Sequence, residues 1–243
     1  MKQYNIKVAF LGDSICTGYG VSVHDGWVNR VSTVLAREYP GVVVLNSSVN
    51  GRTTRQALEI MPYEIQSHPP DVLVVQFGMN DCNRWDTDKG LTRVSALAFK
   101  ANMAEIIQRA LTFGVRRIFV NTNHVTGLDF RKMSNHVWTY QDGNRRYNEI
   151  VRECVSWTYD KVAGDQKILL NDIELAFEKY IEYIDRSGSY DRKKLLSLLC
   201  PKPDLLHLSV TGHELYFKTT YPSICEAIRD VCAKQQNTKG SDR

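Results

Sequence analysis

The sequence predicts a single doubly wound α/β domain, and three observations carry that prediction. Five short runs rich in Val, Ile and Leu read as strands, at residues 8–11, 42–45, 72–77, 117–121 and 168–170. They are apolar without alternation, the pattern of parallel strands covered on both faces. Helical patterns lie between them, and strands alternating with helices build βαβ units into a three-layer α/β/α sandwich. Finally, the connections 82–92 and 123–139 are longer than strand-to-helix loops need to be, and both leave the carboxyl ends of strands, where recognition usually resides. Five strands so connected suggest the order 2-1-3-4-5, with a switch point beside the first strand.

Taken in order, the first strand runs directly into Gly12-Asp13-Ser14. A helix over 27–38 follows, with Trp27, Val28, Val31, Val34 and Leu35 along one stripe. The second strand leads into Asn46-Ser47-Ser48-Val49-Asn50-Gly51-Arg52-Thr53, and the third into Gly78-Met79-Asn80-Asp81. Residues 98–113 repeat the helical spacing through Phe99, Met103, Ile106, Ile107 and Ala110. A further helix is expected over 143–162, and a last one from Thr211-Gly212 to about Cys232. The polar segment 234–243 reads as a fraying tail, which leaves 1–233 as the domain.

Composition removes several classes of function. At 243 residues, 43% hydrophobic and 24% charged, the chain has an ordinary globular make-up. Its net charge of +4 is spread along the chain and forms no basic stripe of the kind that binds nucleic acid. No apolar run approaches the ~20 residues that span a bilayer, so no membrane insertion is expected. The first residues show no apolar signal region, and the expected location is cytoplasmic. Six scattered cysteines with no C-x-x-C pair read as free thiols rather than a disulfide framework. His24, His68, His124 and His136 lack metal-ligand spacing, so no zinc site is expected.

The chemistry centres on Ser14. A serine at the end of the first strand lies where open α/β sheets bind ligands, but it needs a base, an orienting acid and oxyanion donors to act as a nucleophile. In Asp204-Leu205-Leu206-His207, an aspartate three residues ahead of a histidine can reach back and fix the imidazole's tautomer. His207 then offers its other nitrogen to Ser14. Gly51 can bring a backbone N–H close to a substrate carbonyl, and the Asn80 side chain can donate to the same oxygen. With the Ser14 amide these make three donors, each typically worth ~3–4 kcal/mol of transition-state stabilisation.

These four blocks resemble the GDSL/SGNH hydrolases: Gly12-Asp13-Ser14-Ile15, Gly51, Gly78-Met79-Asn80-Asp81 and Asp204-Leu205-Leu206-His207, in order and across essentially the whole domain. The resemblance implies the flavodoxin-like SGNH hydrolase fold. It implies Ser14 as nucleophile, His207 as base and Asp204 as its partner, with Ser14, Gly51 and Asn80 forming the oxyanion hole and no cofactor required. Two departures stand out. Ile15 replaces the family's leucine, a volume-conserving change, and His207-Leu208-Ser209 replaces a frequent His-Pro. Neither removes a reacting group.

The surrounding residues divide more softly. Arg52, Trp85 and Trp138, with Arg131, are expected to touch substrate, since aromatic and guanidinium groups suit a sugar or an anionic acyl ester. Asp81 is expected to stiffen its loop. His213 is expected to be an exposed or satisfied helix histidine, and Cys16 to pack as a small hydrophobe. Arg145 and Arg146 are expected to cover a helix face. The resulting expectation is a serine esterase acting on a small acyl ester, with an O-acetylated carbohydrate as first choice. A thioesterase or lysophospholipase, an acyltransferase with the same triad, and a catalytically silent binding module stay open as alternatives.

Overall fold

A computed structural model describes residues 6–128, 139–158, 162–186 and 191–240. The five strands are β1 (Lys7–Gly12), β2 (Val43–Asn46), β3 (Val72–Gln76), β4 (Arg117–Asn121) and β5 (Lys167–Asn171). They form one sheet in the order β2-β1-β3-β4-β5, every pair parallel. The eight α-helices of the described residues are α1 (Ser14–Thr17), α2 (Trp27–Glu38), α3 (Thr54–Met61), α4 (Ala96–Thr112), α5 (Tyr140–Thr158), α6 (Ile173–Arg186), α7 (Arg192–Leu199) and α8 (Val210–Gly240). In one layer α2 packs on α8 and α8 on α6 and α7, while α3, α4 and α5 pack in succession in the other.

Strand register decides what reaches the functional edge. Gly12 lies opposite Gln76, Gln76 opposite Asn121, and Asn121 opposite Asn171. The apolar strands therefore end together in a row of amides. Those amides bond to one another and to the helices: Asn171 Nδ2 donates to Asn121 Oδ1 at 2.9 Å, and Asn121 Nδ2 to the Tyr216 hydroxyl at 3.0 Å. Buried amides paired in this way cost little, whereas unpaired they would be expensive.

The first helical turn is anchored from below by Trp27. Its ring meets Phe10 edge-on at 5.3 Å and stacks on Tyr216 of α8 at 4.4 Å. Its indole N–H donates to Ile15 O at 3.0 Å. Packing of this kind between rings adds about 0.5–1.5 kcal/mol to area burial alone. It ties the turn carrying Ser14 to both the sheet and the last helix.

Several expectations need correction. β1, β3 and β4 are buried, but β2 is an edge strand whose Val43 and Leu45 are 47% and 38% exposed. An apolar run reports β-propensity as well as burial, so the edge was invisible in the run itself. Helix α3 was not anticipated, although Thr53 and Gln56 form a capping box at its start. Helices α6 and α7 were also missed, and α5 begins before residue 143. Helix α8 continues past Cys232 through 234–240, where a tail was expected; Ala233-Lys234-Gln235-Gln236 are good helix formers with no breaker among them.

Candidate active site

The site is assembled at the carboxyl ends of β1, β2 and β3 and from the turn before α8. Asp13 caps α1, its Oδ1 accepting from the Ile15 amide at 3.0 Å. Gly18, at φ +77, closes the same turn after one revolution. Glycine at position 12 answers to space rather than to φ: a Cβ there would meet Cys16 Sγ at 2.6 Å and the Gln76 carbonyl at 3.0 Å. Ser14 is thus held at the end of a short, crowded turn, 8% exposed.

The structure brings together Ser14, His207 and Asp204. Ser14 Oγ lies 2.9 Å from His207 Nε2, and His207 Nδ1 lies 2.6 Å from Asp204 Oδ2. The other carboxyl oxygen, Asp204 Oδ1, accepts from the Leu206 and His207 amides at 2.9 and 3.1 Å. Partial burial pushes the Asp204 carboxyl up, but the hydrogen bonds from the His207 ring and the two amides outweigh it and hold the group below the usual carboxylate range. Asp204 is therefore an anion that orients the imidazole and can stabilise it when protonated.

Two residues that the sequence reading did not place hold this histidine. Tyr19 sets its ring 4.6 Å from that of His207. His124, fully buried, lies with Nε2 2.9 Å from Leu206 O, next to His207 in the chain. Burial pushes the His124 pKa down to about 4, so the ring is neutral at pH 7 and donates Nε2–H to that carbonyl. Tyr19 carried a usable signal, lying between two glycines just past Ser14. His124 carried none, because its contact spans 82 residues of sequence.

Gly51 and Asn80 line the same pocket as Ser14. Gly51 has φ +75, and a Cβ there would meet nothing in the protein within 4 Å. The left-handed backbone selects glycine at this position, and close packing by the protein does not. Asn80 Nδ2 lies 3.3 Å from Asp13 Oδ2, which Gln76 Nε2 also approaches at 3.4 Å. Burial pushes the Asp13 pKa up to about 7, with the Asp81 charge adding to the rise against the opposing hydrogen bonds. Asp81 does tie its loop down, as expected, accepting the Thr54 amide and hydroxyl on Oδ1.

Around these groups is a pocket of about 380 Å³, lined by Ser14, Asn50, Gly51, Asn80, Asp204 and His207 with Ile15, Tyr19, Met79 and Leu206. Arg52 and Trp85, expected at the substrate, are not among them. Arg52 is 8% exposed and turns its guanidinium onto Ser47 O at 2.5 Å and the Glu64 carboxylate at 3.3 and 3.4 Å. A buried guanidinium needs such partners, and the residue after β2 together with the turn after α3 supplies them. Trp85 is instead covered by the Arg93 guanidinium, 4.3 Å from the ring centroid. Trp138 and Arg131 lie outside the described residues.

The remaining residues have structural partners. His213 is buried rather than exposed, with Nδ1 3.4 Å from the Trp27 amide and a pKa pushed down to about 3 by burial. Cys16 bonds to Gln76 Oε1 at 3.3 Å, and burial raises its thiol well above the ordinary range, which makes it unreactive. Arg145 reaches Glu178 on α6 at 3.4 Å. Among the described residues no cluster of three or more His, Cys, Asp or Glu could hold a metal ion.

Comparison with known proteins extends this geometry. The family model for GDSL-like lipase/acylhydrolases matches residues 10–215. An arylesterase of Vibrio mimicus is 31% identical over 90 residues, 37% of this chain and 45% of the relative, so the chain spans somewhat under half of that protein's length. An α/β hydrolase from the metagenome of Lake Arreo, Spain, LAE5, shares the fold at TM-score 0.69 and 18% identity, over 93% of this chain and 96% of the other. Axe2, an acetylxylan esterase from Geobacillus stearothermophilus, does so at TM-score 0.67 and 18% identity, over 93% and 95%.

Proposed function

The chain belongs to the GDSL-like lipase/acylhydrolase family, and from that premise we propose that it is a serine esterase that cleaves short-chain acyl esters, with O-acetyl groups on a carbohydrate as substrate. The observation that carries the reading is the unbroken hydrogen-bond chain from Ser14 through His207 to Asp204, opening on a pocket.

In this reading His207 Nε2 takes the Ser14 hydroxyl proton as Oγ bonds to the acyl carbon, and the carbonyl π pair moves onto oxygen. Asp204 holds Nδ1–H and stabilises the imidazolium. The oxyanion is received by the Ser14 and Gly51 amides and by Asn80 Nδ2. Collapse expels the alcohol, which takes the proton from His207. Water, deprotonated by the same nitrogen, then attacks the acyl carbon, and His207 passes that proton to Ser14 Oγ as the acyl bond breaks and the acid leaves.

Pocket size and lining support a small substrate. About 380 Å³ falls near the low end of the ~300–1,000 Å³ of ligand sites. Half-exposed Tyr19 and the amide of Asn50 at the mouth offer a ring face and a polar group suited to a sugar. Axe2, whose fold the chain shares, acts on acetylated xylan by its name. No described helix is long and apolar enough to cross a membrane, and the six cysteines are buried and free. Those thiols support a reducing compartment, and we assign the protein to the cytoplasm.

The test is a chain-length series of p-nitrophenyl esters alongside acetylated xylo-oligosaccharides, with free acid quantified. Preference for acetate and release of acid from the oligosaccharide support the proposal. Preference for long acyl chains contradicts it, and acyl delivery to an added alcohol with little free acid shows a transferase.

A further inference from the structure

We infer that Arg93 is a positioning residue for the oxyanion hole, one guanidinium holding both the Gly51 carbonyl and the Asn80 amide. The inference rests on the esterase reading above and concerns how that site is kept in shape. Arg93 sits 13 residues past Asn80 in sequence, and only the return of the loop makes them neighbours. After Asp81 the chain leaves the sheet edge and comes back through an antiparallel bridge between Arg84 and Thr92. The Arg93 amide then donates to Asn83 O at 3.0 Å and the Val94 amide to Asp81 O at 3.1 Å. The excursion thus returns Arg93 to the segment that carries Asn80.

From there Arg93 Nη1 lies 2.9 Å from Gly51 O and 3.5 Å from Asn80 Oδ1. The outgoing limb contributes Trp85, whose ring centroid is 4.3 Å from the Arg93 Cζ. This cation–π contact restrains the guanidinium away from open solvent. Arg93 does not line the pocket, so it reaches a substrate only through the two groups it holds.

Donor and acceptor chemistry gives the arrangement its consequence. The Asn80 amide sits between a buried carboxyl and a guanidinium, its Nδ2 3.3 Å from Asp13 Oδ2 and its Oδ1 facing Arg93. Rotating the amide half a turn would set its oxygen against the carboxyl and its NH₂ against the guanidinium, so one orientation is matched and the other is repelled. In the matched orientation one Nδ2 hydrogen serves Asp13 and the second is left for an oxyanion. Gly51, at φ +75, has the conformational freedom of a residue without Cβ. A charged hydrogen bond to its carbonyl removes that freedom on one side of the residue. Both contacts come from Nη1; lysine could supply the charge and the donors, but not the planar head stacked on Trp85 that fixes where they point.

The experiment compares Arg93→Met and Arg93→Lys, each alone and combined with Asn80→Ala, by kcat and KM on p-nitrophenyl acetate, fluorophosphonate labelling rate and Tm. Arg93→Met is expected to lower kcat about 10- to 100-fold, less than the ~10²–10³ of deleting an oxyanion donor outright. KM should stay within about threefold, because the hole acts on the transition state. Arg93→Lys should fall between wild type and Arg93→Met. In the Asn80→Ala background the loss should shrink at least about threefold, since coupled residues are not additive. Unchanged kcat in Arg93→Lys and Arg93→Met, a loss confined to KM, or a loss undiminished beside Asn80→Ala overturns the inference while the esterase reading stands. Should Arg93→Met fail to fold, Arg93→Lys carries the same comparison. A wild type that neither hydrolyses ester nor takes label overturns the esterase reading, and this inference with it.

Discussion

The carboxyl of Asp13 lies 3.3 Å from the side-chain nitrogen of Asn80, and it reaches that nitrogen from inside the protein, at no exposure to solvent. Asp13 is the middle residue of the Gly-Asp-Ser block, so the same short turn presents the hydroxyl of Ser14 and orients a donor from β3's end. Replacing the carboxyl with an amide keeps the helix cap, since Asn Oδ1 can still accept from Ile15. It also sets an NH₂ against the NH₂ of Asn80. Asp13→Asn is therefore expected to lower kcat about 10- to 100-fold with little change in KM, and steady-state kinetics at pH 8 on a short-chain ester checks it.

Asp81 gives a pH signature with a definite sign. Burial raises its pKa from 3.8 to about 6, and Oδ2 has no hydrogen-bond partner among the described residues. The native state thus holds the proton more tightly than the unfolded chain between about pH 4 and 6, and stability from this group falls as pH rises through that window. Asp81→Asn keeps the acceptor for Thr54 and removes the charge. Thermal unfolding is expected to show a higher Tm than wild type at pH 8 and nearly equal Tm at pH 4.

His124 should behave as a support for the base. Substituting leucine removes the donor to Leu206 O and leaves that carbonyl unsatisfied, which costs about 1–3 kcal/mol. In a chain of this size that is roughly 2–12 °C in Tm. His124→Leu is expected to lower kcat as well, because the segment that carries His207 loses its anchor. Calorimetry together with kinetics separates the two effects.

Arg52 offers the opposite profile. Its guanidinium bonds to Ser47 O and Glu64 and does not line the pocket. Arg52→Met should reduce Tm while leaving KM for acetyl esters and acetylated oligosaccharides within about twofold, since lost packing and an unpaired Glu64 act on folding rather than on binding. A large KM effect at full stability would place Arg52 at the substrate after all.

How much of this was legible before the structure depends on how far each interaction reaches. Asp204 and His207 sit within one turn, so their pairing is a local matter that spacing reveals. Ser14, Gly51 and Asn80 each follow an apolar run, and strand ends in a parallel sheet share one edge, so their convergence was readable from topology. Arg93 and His124 were not, because each acts across a fold-dependent approach: a loop returning on itself for one, the packing of residue 124 against residue 206 for the other. Arg52 and Trp85 misled for a related reason. Residue type suggested a ligand, while their actual partners, Glu64 and Arg93, lay in a turn and a loop limb whose placement spacing does not give. Exposure of β2 was hidden similarly, since Val43 and Leu45 look alike at an edge and in a core.

The central claim is that the Ser14 hydroxyl is a nucleophile activated through His207. Its most direct measurement is fluorophosphonate labelling followed by peptide mapping of wild type, Ser14→Ala and His207→Gln. The expected result is a single adduct on Ser14 in wild type, none in Ser14→Ala, and labelling slowed by orders of magnitude in His207→Gln. An adduct on another residue, or labelling of Ser14 that is indifferent to His207, would contradict the account.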